Sequence, residues 1–305
     1  MKLIHLISGG DVGGAKTHVL SLLQGLNRTE DVHLICFMEG PFAEEARCLG
    51  IPTTVIEGSN PMAVRKRILA IIRHDDCQLL HCHGARANMI GALVQRQARI
   101  PVISTIHSDY RLDYLGRPLH RLTFGTINTI ALRCFDYHIG VSDAVSQMLI
   151  ERGFDPERIV KIYNGMEFNR PEGEFDRAAY LRETYGAEIE EGDVLCGIAA
   201  RLTAVKDIAT TIRGFAEALK SAPQLRLFIA GDGEDEDMLK KLCDQLGARK
   251  RVTFCGWVSP VMPFFRAMDI NLLSSVSETF PYSILEGVCA GCATICSDVG
   301  GMPEL

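Results

Sequence analysis

The sequence predicts an α/β protein with two Rossmann-like domains, each built on a parallel sheet. Short apolar runs of strand length alternate with segments whose apolar residues recur at helical spacing. This alternation is typical of parallel sheets with helices on both faces. It runs to about residue 168 and restarts at residue 193. A chain of 305 residues is also about twice the ~150 residues typical of one domain.

The first predicted domain, residues 1–168, contains six strands connected by helices. Its first helix is well marked, because apolar residues from Ala15 to Leu26 recur every three or four positions. Two further helical patterns cover residues 43–49 and 64–72. The predicted strands are residues 3–7, 32–37, 54–56, 79–82, 102–106 and 137–141.

A charged, turn-rich stretch at residues 169–192 is predicted to connect the domains, with a short helix at 178–185. The second domain, residues 193–305, then repeats the alternation. Its predicted strands are residues 194–199, 225–230, 252–254, 270–273 and 294–297. Its predicted helices are residues 208–219, 237–246, 262–268 and 282–289.

Composition narrows the class of protein. Apolar residues make up 47% of the chain, which is enough for a sizeable core. The net charge of −6 argues against a general nucleic-acid binder. The eleven cysteines are scattered through predicted helices and strands, as expected for reduced thiols in a cytoplasmic protein. We find neither a signal-like apolar run at the start nor a membrane-spanning stretch, so we expect a cytoplasmic location.

The first candidate binding loop follows the first strand. Residues 8–14 contain two adjacent glycine pairs and open the first predicted helix. Ligands of open parallel sheets bind beyond the carboxyl ends of strands, and a helix N-terminus offers N–H groups to an anion. The loop is therefore predicted to bind a ligand. The spacing is not that of the dinucleotide fingerprint, and the alternative is a flexible turn without ligand.

Three histidines also lie at predicted strand ends. His107 follows the strand at 102–106, where a histidine can contact a phosphate or hydroxyl or transfer a proton. The alternative is a structural role. His81 and His83 flank Cys82, a grouping that raises the question of a metal. They lack a second ligand pair at a recognisable spacing, so we predict no metal there and interpret them as structural or loop residues.

Two cations follow the first strand of the second domain. Arg201 and Lys206 precede a predicted helix start, where Asp207 can act as the cap. Such a pair can hold a diphosphate and stabilise a departing nucleotide without a metal. The alternative is a pair of solvated charges.

A tight turn that begins at Gly231 follows the next strand and is predicted to border the nucleotide. The acids after it would repel phosphate, so we interpret them as helix-capping residues. These acids are Asp235, Glu236 and Asp237.

Residues 277–286 carry two carboxylates eight positions apart, Glu278 in a loop and Glu286 on the following helix. Carboxylates accept hydrogen bonds from sugar hydroxyls, so the two can hold a ribose and a transferred sugar separately. The backbone N–H groups that follow, at Thr279 and Phe280, suit an anion. The alternative is a helix-start acid and a solvated helical acid.

A Cys-x-x-Cys pair at Cys289 and Cys292 closes the last predicted helix. No second pair lies at zinc spacing, and the helix is apolar. We therefore interpret this pair as packing residues.

Taken in order, these motifs resemble those of the family-4 retaining glycosyltransferases, which have the GT-B fold. The resemblance covers essentially the whole chain, and it is specific to the family but not to one substrate. The matching elements are the paired-glycine loop, His107, residues 163–166, Arg201 with Lys206, residues 231–233, Gly256 with Trp257, Glu278 with Glu286, and residues 300–304.

The resemblance implies a hexosyltransferase whose two domains have parallel sheets facing a central cleft. Transfer of a hexose-type sugar from a nucleotide-diphosphate donor would retain the anomeric configuration, without a required divalent metal or other cofactor. Front-face attack, with the leaving phosphate accepting the acceptor's proton, would explain why no protein nucleophile is evident. Implied catalytic residues are His107, near the transferred sugar, and Glu278, on its hydroxyls.

The resemblance also assigns the donor site. Arg201 and Lys206 would hold the diphosphate and Glu286 the ribose. Gly10, with Gly13 and Gly14, would face the diphosphate or the acceptor.

Two features depart from the family pattern. Thr279 stands where the family usually has glycine, which leaves the donor sugar open. The chain stops at Leu305, whereas the family continues through further strand–helix units and a crossing helix. We therefore expect an incomplete second domain, with the missing part beside the donor site. A sugar-nucleotide epimerase and a non-catalytic nucleotide-sugar-binding module stay open as alternatives.

A basic amphipathic segment at residues 111–134 carries four arginines and one acid, Asp113. Such a segment can rest on an anionic membrane, and acceptors in the resembled family are often lipid-linked. We therefore predict peripheral membrane contact at the inner face. The alternative is an ordinary helix on the sheet and a soluble acceptor. The arginines are Arg111, Arg117, Arg121 and Arg133.

Overall fold

The computed structural model describes residues 1–10, 13–112, 125–168 and 173–305. The chain divides into two compact units: Met1–Gly165 with Glu304–Leu305, and Met166–Pro303. Each unit is a parallel α/β structure, which confirms the predicted fold class.

The first unit has a seven-stranded parallel sheet in the order β3-β2-β1-β4-β5-β6-β7. Its strands are β1 (Lys2–Ile7), β2 (Asp31–Cys36), β3 (Thr53–Val55), β4 (Leu79–His83), β5 (Val102–Ile106), β6 (Tyr137–Gly140) and β7 (Ile159–Lys161). Its described helices are α1 (Gly14–Leu26), α2 (Pro41–Cys48), α3 (Pro61–His74), α4 (Ala85–Ala98), α5 (Thr126–Leu132) and α6 (Asp143–Glu151).

The strand order of this sheet reverses between β1 and β4. Both strands are almost wholly buried, as expected of a parallel sheet with helices on both faces, and their histidines are buried with the apolar residues. The loops after β1 and β4 therefore leave the same sheet edge at the switch point, where open α/β sheets bind ligands. Glu304 also belongs to this unit: its carboxylate accepts from the N–H groups of Asp143 and Ala144, in the first turn of α6.

The second unit has a five-stranded parallel sheet in the order β10-β9-β8-β11-β12, with its switch point between β8 and β11. Its strands are β8 (Val194–Ala199), β9 (Leu225–Ala230), β10 (Val252–Gly256), β11 (Ile270–Leu273) and β12 (Ala293–Cys296). Its helices are α7 (Arg177–Tyr185), α8 (Ile208–Ala218), α9 (Glu236–Gln245), α10 (Met262–Ala267) and α11 (Tyr282–Ala290).

The stretch predicted as a connection, residues 169–192, is described from residue 173 onward, and that part belongs to the second unit. The reason is hydrophobic: Leu181 of α7 is fully buried in a cluster with Phe264 and Phe265 of α10. Further apolar and aromatic residues of the stretch, among them Phe175 and Ile189, pack against the same cluster, so a charged stretch can still fix its helix to the sheet.

Strand β7 is not predicted from the sequence, because it is three residues long and lies partly exposed at the sheet edge. All eleven cysteines are free. Among the described residues, no helix combines the length and apolar character needed to cross a membrane.

Candidate active site

The paired glycines after β1 form a tightly packed turn. A Cβ on Gly9, whose φ is +91°, would lie 2.8 Å from the Met38 carbonyl oxygen, and a Cβ on Gly10 would lie 2.9 Å from the Met38 sulfur. Only glycine fits both positions without a shift. Gly13 is the N-cap of α1 and Gly14 its first residue, with neither a capping side chain nor an acid in the first turn. The N-terminus of α1 therefore retains its positive end, as an anion site requires.

Five of the nine histidines meet on one face of the first sheet. His5 on β1 lies in register with His81 on β4, and side chains two positions apart along a strand share a face. His83 therefore lies on the same face, beside Thr105 of β5 in register, and His107 follows two residues later. His18 of α1 completes the cluster, with its ring centroid 4.8 Å from that of His107.

Hydrogen bonds link three of these rings in a chain. His83 lies 3.2 Å from His5 Nδ1 through its Nε2, and 3.1 Å from His107 Nε2 through its Nδ1. A neutral imidazole has one N–H, so His83 donates to one neighbour and accepts from the other. The tautomer of His107 is thereby coupled to those of His83 and His5. His81 Nε2 instead contacts Thr105 Oγ1 at 2.7 Å.

Burial keeps this cluster neutral. It lowers the pKa of His5 and of His107 to about 3, and that of His18 to about 4. Burial also holds the pKa values of His81 and His83 well below 6.5, with the neighbouring histidines adding to the effect. At neutral pH His107 is therefore an uncharged hydrogen-bonding group at a strand end, able to contact a hydroxyl.

The structure places His107 where the sequence predicts it, and His81 and His83 are buried. The sequence alone does not reveal the link from His83 to His107. Histidines at alternate positions of adjacent parallel strands were the available signal, but reading it requires the strand register.

In the second unit, the loops after β8 and β11 leave the sheet at its switch point. Lys206, after β8, forms an ion pair with Glu278, after β11. The same oxygen, Glu278 Oε1, accepts a 2.6 Å hydrogen bond from Ser275 Oγ. The side chain of Glu278 is 8% exposed and that of Lys206 is 20% exposed. The structure thus joins Lys206 to the carboxylate, a pairing that sequence spacing does not reveal.

Arg201 differs from Lys206 in its surroundings. It is exposed in the same loop and forms no ion pair with any residue that the structure describes. Its guanidinium is therefore available to an anion, whereas the Lys206 charge is already partly compensated.

Three glycines hold these loops together. A Cβ on Gly231 would lie 1.9 Å from the Ala200 carbonyl oxygen, and one on Gly300 would lie 1.7 Å from the Glu278 carbonyl oxygen. A Cβ on Gly233 would meet the Leu202 carbonyl oxygen at 2.2 Å. These backbone contacts explain the glycines structurally: they position the segments that carry the candidate cations and carboxylate.

Glu286 lies on α11, eight residues after Glu278. Burial raises its pKa from 4.5 to about 7, so part of the carboxyl population is protonated at neutral pH. Just before the helix, Phe280 is buried and Thr279 half-buried. Pro281 occupies the N-cap without a capping side chain, and the first turn contains no acid.

Other interpretations of the sequence are also resolved. Asp207 caps α8 by accepting from the Thr210 N–H and from its hydroxyl. Asp235 is the N-cap of α9, but its side chain accepts no capping hydrogen bond, so the capping interpretation is wrong for it, and Glu236 and Asp237 lie in the first turn. Cys289 and Cys292 are buried, and the Cys292 thiol donates to the Phe265 carbonyl oxygen at 3.2 Å, in agreement with a packing role.

Most of the basic segment proposed for membrane contact, including Asp113, Arg117 and Arg121, lies outside the described residues. Arg111 is exposed. Arg133 donates to the carbonyl oxygens of Arg152 and Gly153.

Models of known glycosyltransferase families match both halves of the chain. The Glycosyltransferase Family 4 model matches residues 12–170, and the model described as Glycosyl transferases group 1 matches residues 186–305. An uncharacterized glycosyltransferase of Methanocaldococcus jannaschii is 27% identical, over 96% of this chain and 79% of that protein. The UDP-Gal:alpha-D-GlcNAc-diphosphoundecaprenol alpha-1,3-galactosyltransferase of Escherichia coli is 23% identical, over 94% of this chain and 79% of that protein.

Structural comparison agrees on the fold. Anabaena HepE, solved in complex with UDP-glucose, superposes with a TM-score of 0.84 at 23% identity, over all of this chain and 82% of that chain. WaaG, a glycosyltransferase involved in lipopolysaccharide biosynthesis, gives 0.72 at 15% identity, over all of this chain and 83% of that one. At such identities the likeness establishes the GT-B fold. With both family models matched in order, the chain belongs to Glycosyltransferase Family 4 and is an enzyme of the glycosyltransferase class.

Proposed function

We propose that the protein is a retaining glycosyltransferase that moves a hexose-type sugar from a nucleotide-diphosphate donor to a hydroxyl acceptor. The observation that carries the proposal is the group of Arg201, Lys206 and Glu278 at the switch point between β8 and β11. It brings two cations and a sugar-binding carboxylate to one sheet edge. A galactosyltransferase that uses UDP-Gal and a HepE structure with UDP-glucose, both similar to this chain, support such a donor.

In this proposal Arg201 contacts the diphosphate directly, because its charge is exposed and uncompensated by described residues. The Lys206 ammonium contacts both the diphosphate and the Glu278 carboxylate. Its ion pair with Glu278 also orients that carboxylate toward the sugar hydroxyls. The cations stabilise the charge that develops on the leaving diphosphate, so we expect no requirement for a divalent metal. Glu286 accepts from the ribose hydroxyls.

His107 acts on the transferred sugar. As a neutral imidazole it can exchange a hydrogen bond with a sugar hydroxyl without adding a charge near the diphosphate. In front-face attack the leaving phosphate oxygen takes the proton of the acceptor hydroxyl, and the new glycosidic bond forms on the face that the phosphate leaves. The chain then needs no nucleophile, only groups that bind and orient.

For the acceptor we propose a glycan or lipid-linked hydroxyl used in polysaccharide biosynthesis at the cytoplasmic face of the membrane. The acceptor named for the E. coli relative, a diphosphoundecaprenol glycolipid, supports this. Co-sedimentation with anionic vesicles tests the membrane contact. We expect binding that depends on anionic lipid and is lost when Arg117 and Arg121 become glutamate. Binding that ignores either change would favour a soluble acceptor.

The donor proposal is tested with a thermal-shift panel of nucleotides and nucleotide sugars, followed by turnover. We expect stabilisation by one nucleotide sugar, release of its nucleoside diphosphate, and a product of unchanged anomeric configuration by NMR. Activity should persist with excess EDTA. Reversible isomerisation of the donor would indicate an epimerase. Stabilisation without turnover in the presence of acceptors would indicate a binding module.

A further inference from the structure

The histidine cluster of the first unit is larger than contact with a sugar requires. His18, His83 and His107 each offer a ring nitrogen, and these atoms lie within 4.8 Å of one another. The three residues come from α1, from β4 and from the residue after β5, so three separate elements converge on one point.

These nitrogens have the chemical form that metal ions bind. Imidazole nitrogen is a common ligand of transition metals, and each of these three rings offers one such atom close to the other two. The 3.1 Å between His83 Nδ1 and His107 Nε2 is close to the ~3.3 Å edge of a tetrahedron with metal–nitrogen bonds of about 2.0–2.1 Å.

His18 supplies an independent observation. Its side chain is nine-tenths buried, and its Nε2 makes no well-aligned hydrogen bond with a described residue, although the Asn164 side chain lies within reach of the ring. A buried polar atom left in this state costs free energy, and a bound cation at the cluster would remove that cost.

A second trio, His5 with His81 and His83, also meets the distance requirement, but it suits an ion less well. All three side chains are fully buried, and His81 Nε2 already contacts Thr105. By contrast His107 is partly exposed at the carboxyl end of β5, which gives an ion a route in.

We propose that His18, His83 and His107 form a binding site for a divalent transition metal of the zinc class. Three imidazoles, with no carboxylate beside them among the described residues, favour zinc, cobalt, nickel or copper over magnesium or calcium. The ion would replace the His83–His107 hydrogen bond, while His83 donates its Nε2–H to His5 Nδ1. That outer contact is already formed at 3.2 Å, and metal-binding histidines commonly have such a partner. A fourth position stays open for water or an anion.

One consequence rests on the proposed function. An ion on His107 occupies a nitrogen of the ring that would contact the sugar, so it inhibits transfer. Chelator would then restore or raise activity, in agreement with a reaction that needs no metal.

Cobalt and zinc binding test the site without reference to activity. At neutral pH we expect one ion per chain, by zinc calorimetry and by the visible absorption of tetrahedral cobalt. His18→Gln and His107→Gln should each weaken binding at least about tenfold. His74→Gln, a histidine of α3 outside the cluster, is the matched control and should bind as the parent does. Thermal unfolding establishes that each variant is folded.

The outcomes separate the two proposals. Equal zinc affinity in the parent and in folded His18→Gln and His107→Gln overturns the metal site. Binding at the site that leaves transfer unaffected overturns the role of His107 in the proposed function, and leaves the site standing. Zinc inhibition that is unchanged in His18→Gln, although zinc affinity falls, places the inhibitory ion elsewhere; it overturns the inhibitory consequence and leaves the site standing.

Discussion

Arg201 and Lys206 lie in one loop, but their charges are not equally available to a diphosphate. The Lys206 ammonium is paired with a nearly buried carboxylate, whereas the Arg201 guanidinium is exposed. Removing Lys206 would also leave Glu278 without its counter-charge, so its effect on binding would mix two causes. Arg201 is therefore the better probe of a phosphate site.

We predict that Arg201→Ala weakens the binding of a nucleoside diphosphate about 10- to 100-fold, because a hydrogen bond to a charged group is lost. The corresponding nucleoside should bind nearly as before, because it lacks the charge. Calorimetry with UDP and uridine measures both, and Arg213→Ala, an exposed arginine of α8, is the control. Equal losses for UDP and uridine would remove Arg201 from the phosphate site.

The buried carboxyl group of Glu286 lowers the stability of the folded protein when it ionises, and a ligand-binding role would explain why it is there. Its folded pKa of about 7 exceeds 4.5, so ionising the buried carboxyl is unfavourable in the folded state. The stability associated with its protonated form is complete below pH 4.5 and is lost as the pH rises through 7. A hydroxyl ligand that donates to the carboxylate would recover part of this loss.

Glu286→Gln is therefore expected to raise the free energy of unfolding of the ligand-free protein above neutral pH, by at most about 3 kcal/mol. The same change should weaken the binding of uridine, while Glu278→Gln should chiefly weaken the binding of the sugar-bearing donor. Urea unfolding and calorimetry measure the two effects. If Glu278→Gln weakens uridine and Glu286→Gln does not, the roles of the two carboxylates are exchanged.

At the level of elements, the segment between β11 and α11 is held by backbone packing. The Gly301 N–H donates to the Glu278 carbonyl oxygen at 3.1 Å, and Gly300 lies directly against the same carbonyl. The position of Glu278 thus depends on residues more than twenty positions later in the chain. The motif at residues 300–304 therefore has a structural role, because its two glycines hold the backbone of Glu278 in place.

Gly300→Ala should disturb this contact, because its Cβ would lie 1.7 Å from the Glu278 carbonyl oxygen. Gly291→Ala is the matched control: both glycines have positive φ, but no atom lies within 4 Å of a Cβ at 291. We expect Gly300→Ala to lower the free energy of unfolding by about 1–3 kcal/mol more than Gly291→Ala does, and to weaken donor binding. Equal stability of the two variants, by urea unfolding, would contradict this packing.

At the scale of the whole molecule, the buried histidines tie stability to pH. The folded pKa values of His5, His18 and His107 lie at about 3 to 4, below the ordinary 6.5. Below pH 6.5 the unfolded chain therefore binds protons that the folded chain does not. The stabilisation is complete above pH 6.5 and falls as the pH drops toward 4.

We predict a marked fall in the free energy of unfolding between about pH 7.5 and about pH 5.5, up to about 1.4 kcal/mol per histidine per pH unit below 6.5. His18→Gln removes one titrating group and should make the fall shallower by about one proton. Urea unfolding across this range measures the slope. A flat profile would show that the cluster is hydrated in solution.

How far the sequence predicts the site depends on the kind of information each residue needs. Its position in the sequence is enough to predict Asp207 as a helix cap, because capping is decided within one turn. The helix that contains Leu181 is predicted, but its packing is not, because Phe264 and Phe265, which bury Leu181, lie more than eighty positions later in the chain. For His83 the sequence indicates only a structural or loop role, because its link to His107 exists only across the strand register.

By itself the sequence determined the two parallel α/β units, most of their helices and strands, and the loops at the carboxyl ends of the strands. Those features follow from local periodicity and from glycine and charge placement along the chain. Only the tertiary structure decided which side chains meet: Lys206 with Glu278, and five histidines on one face. The physical reason is that strand order and register bring distant residues within hydrogen-bonding distance, and burial then sets their protonation.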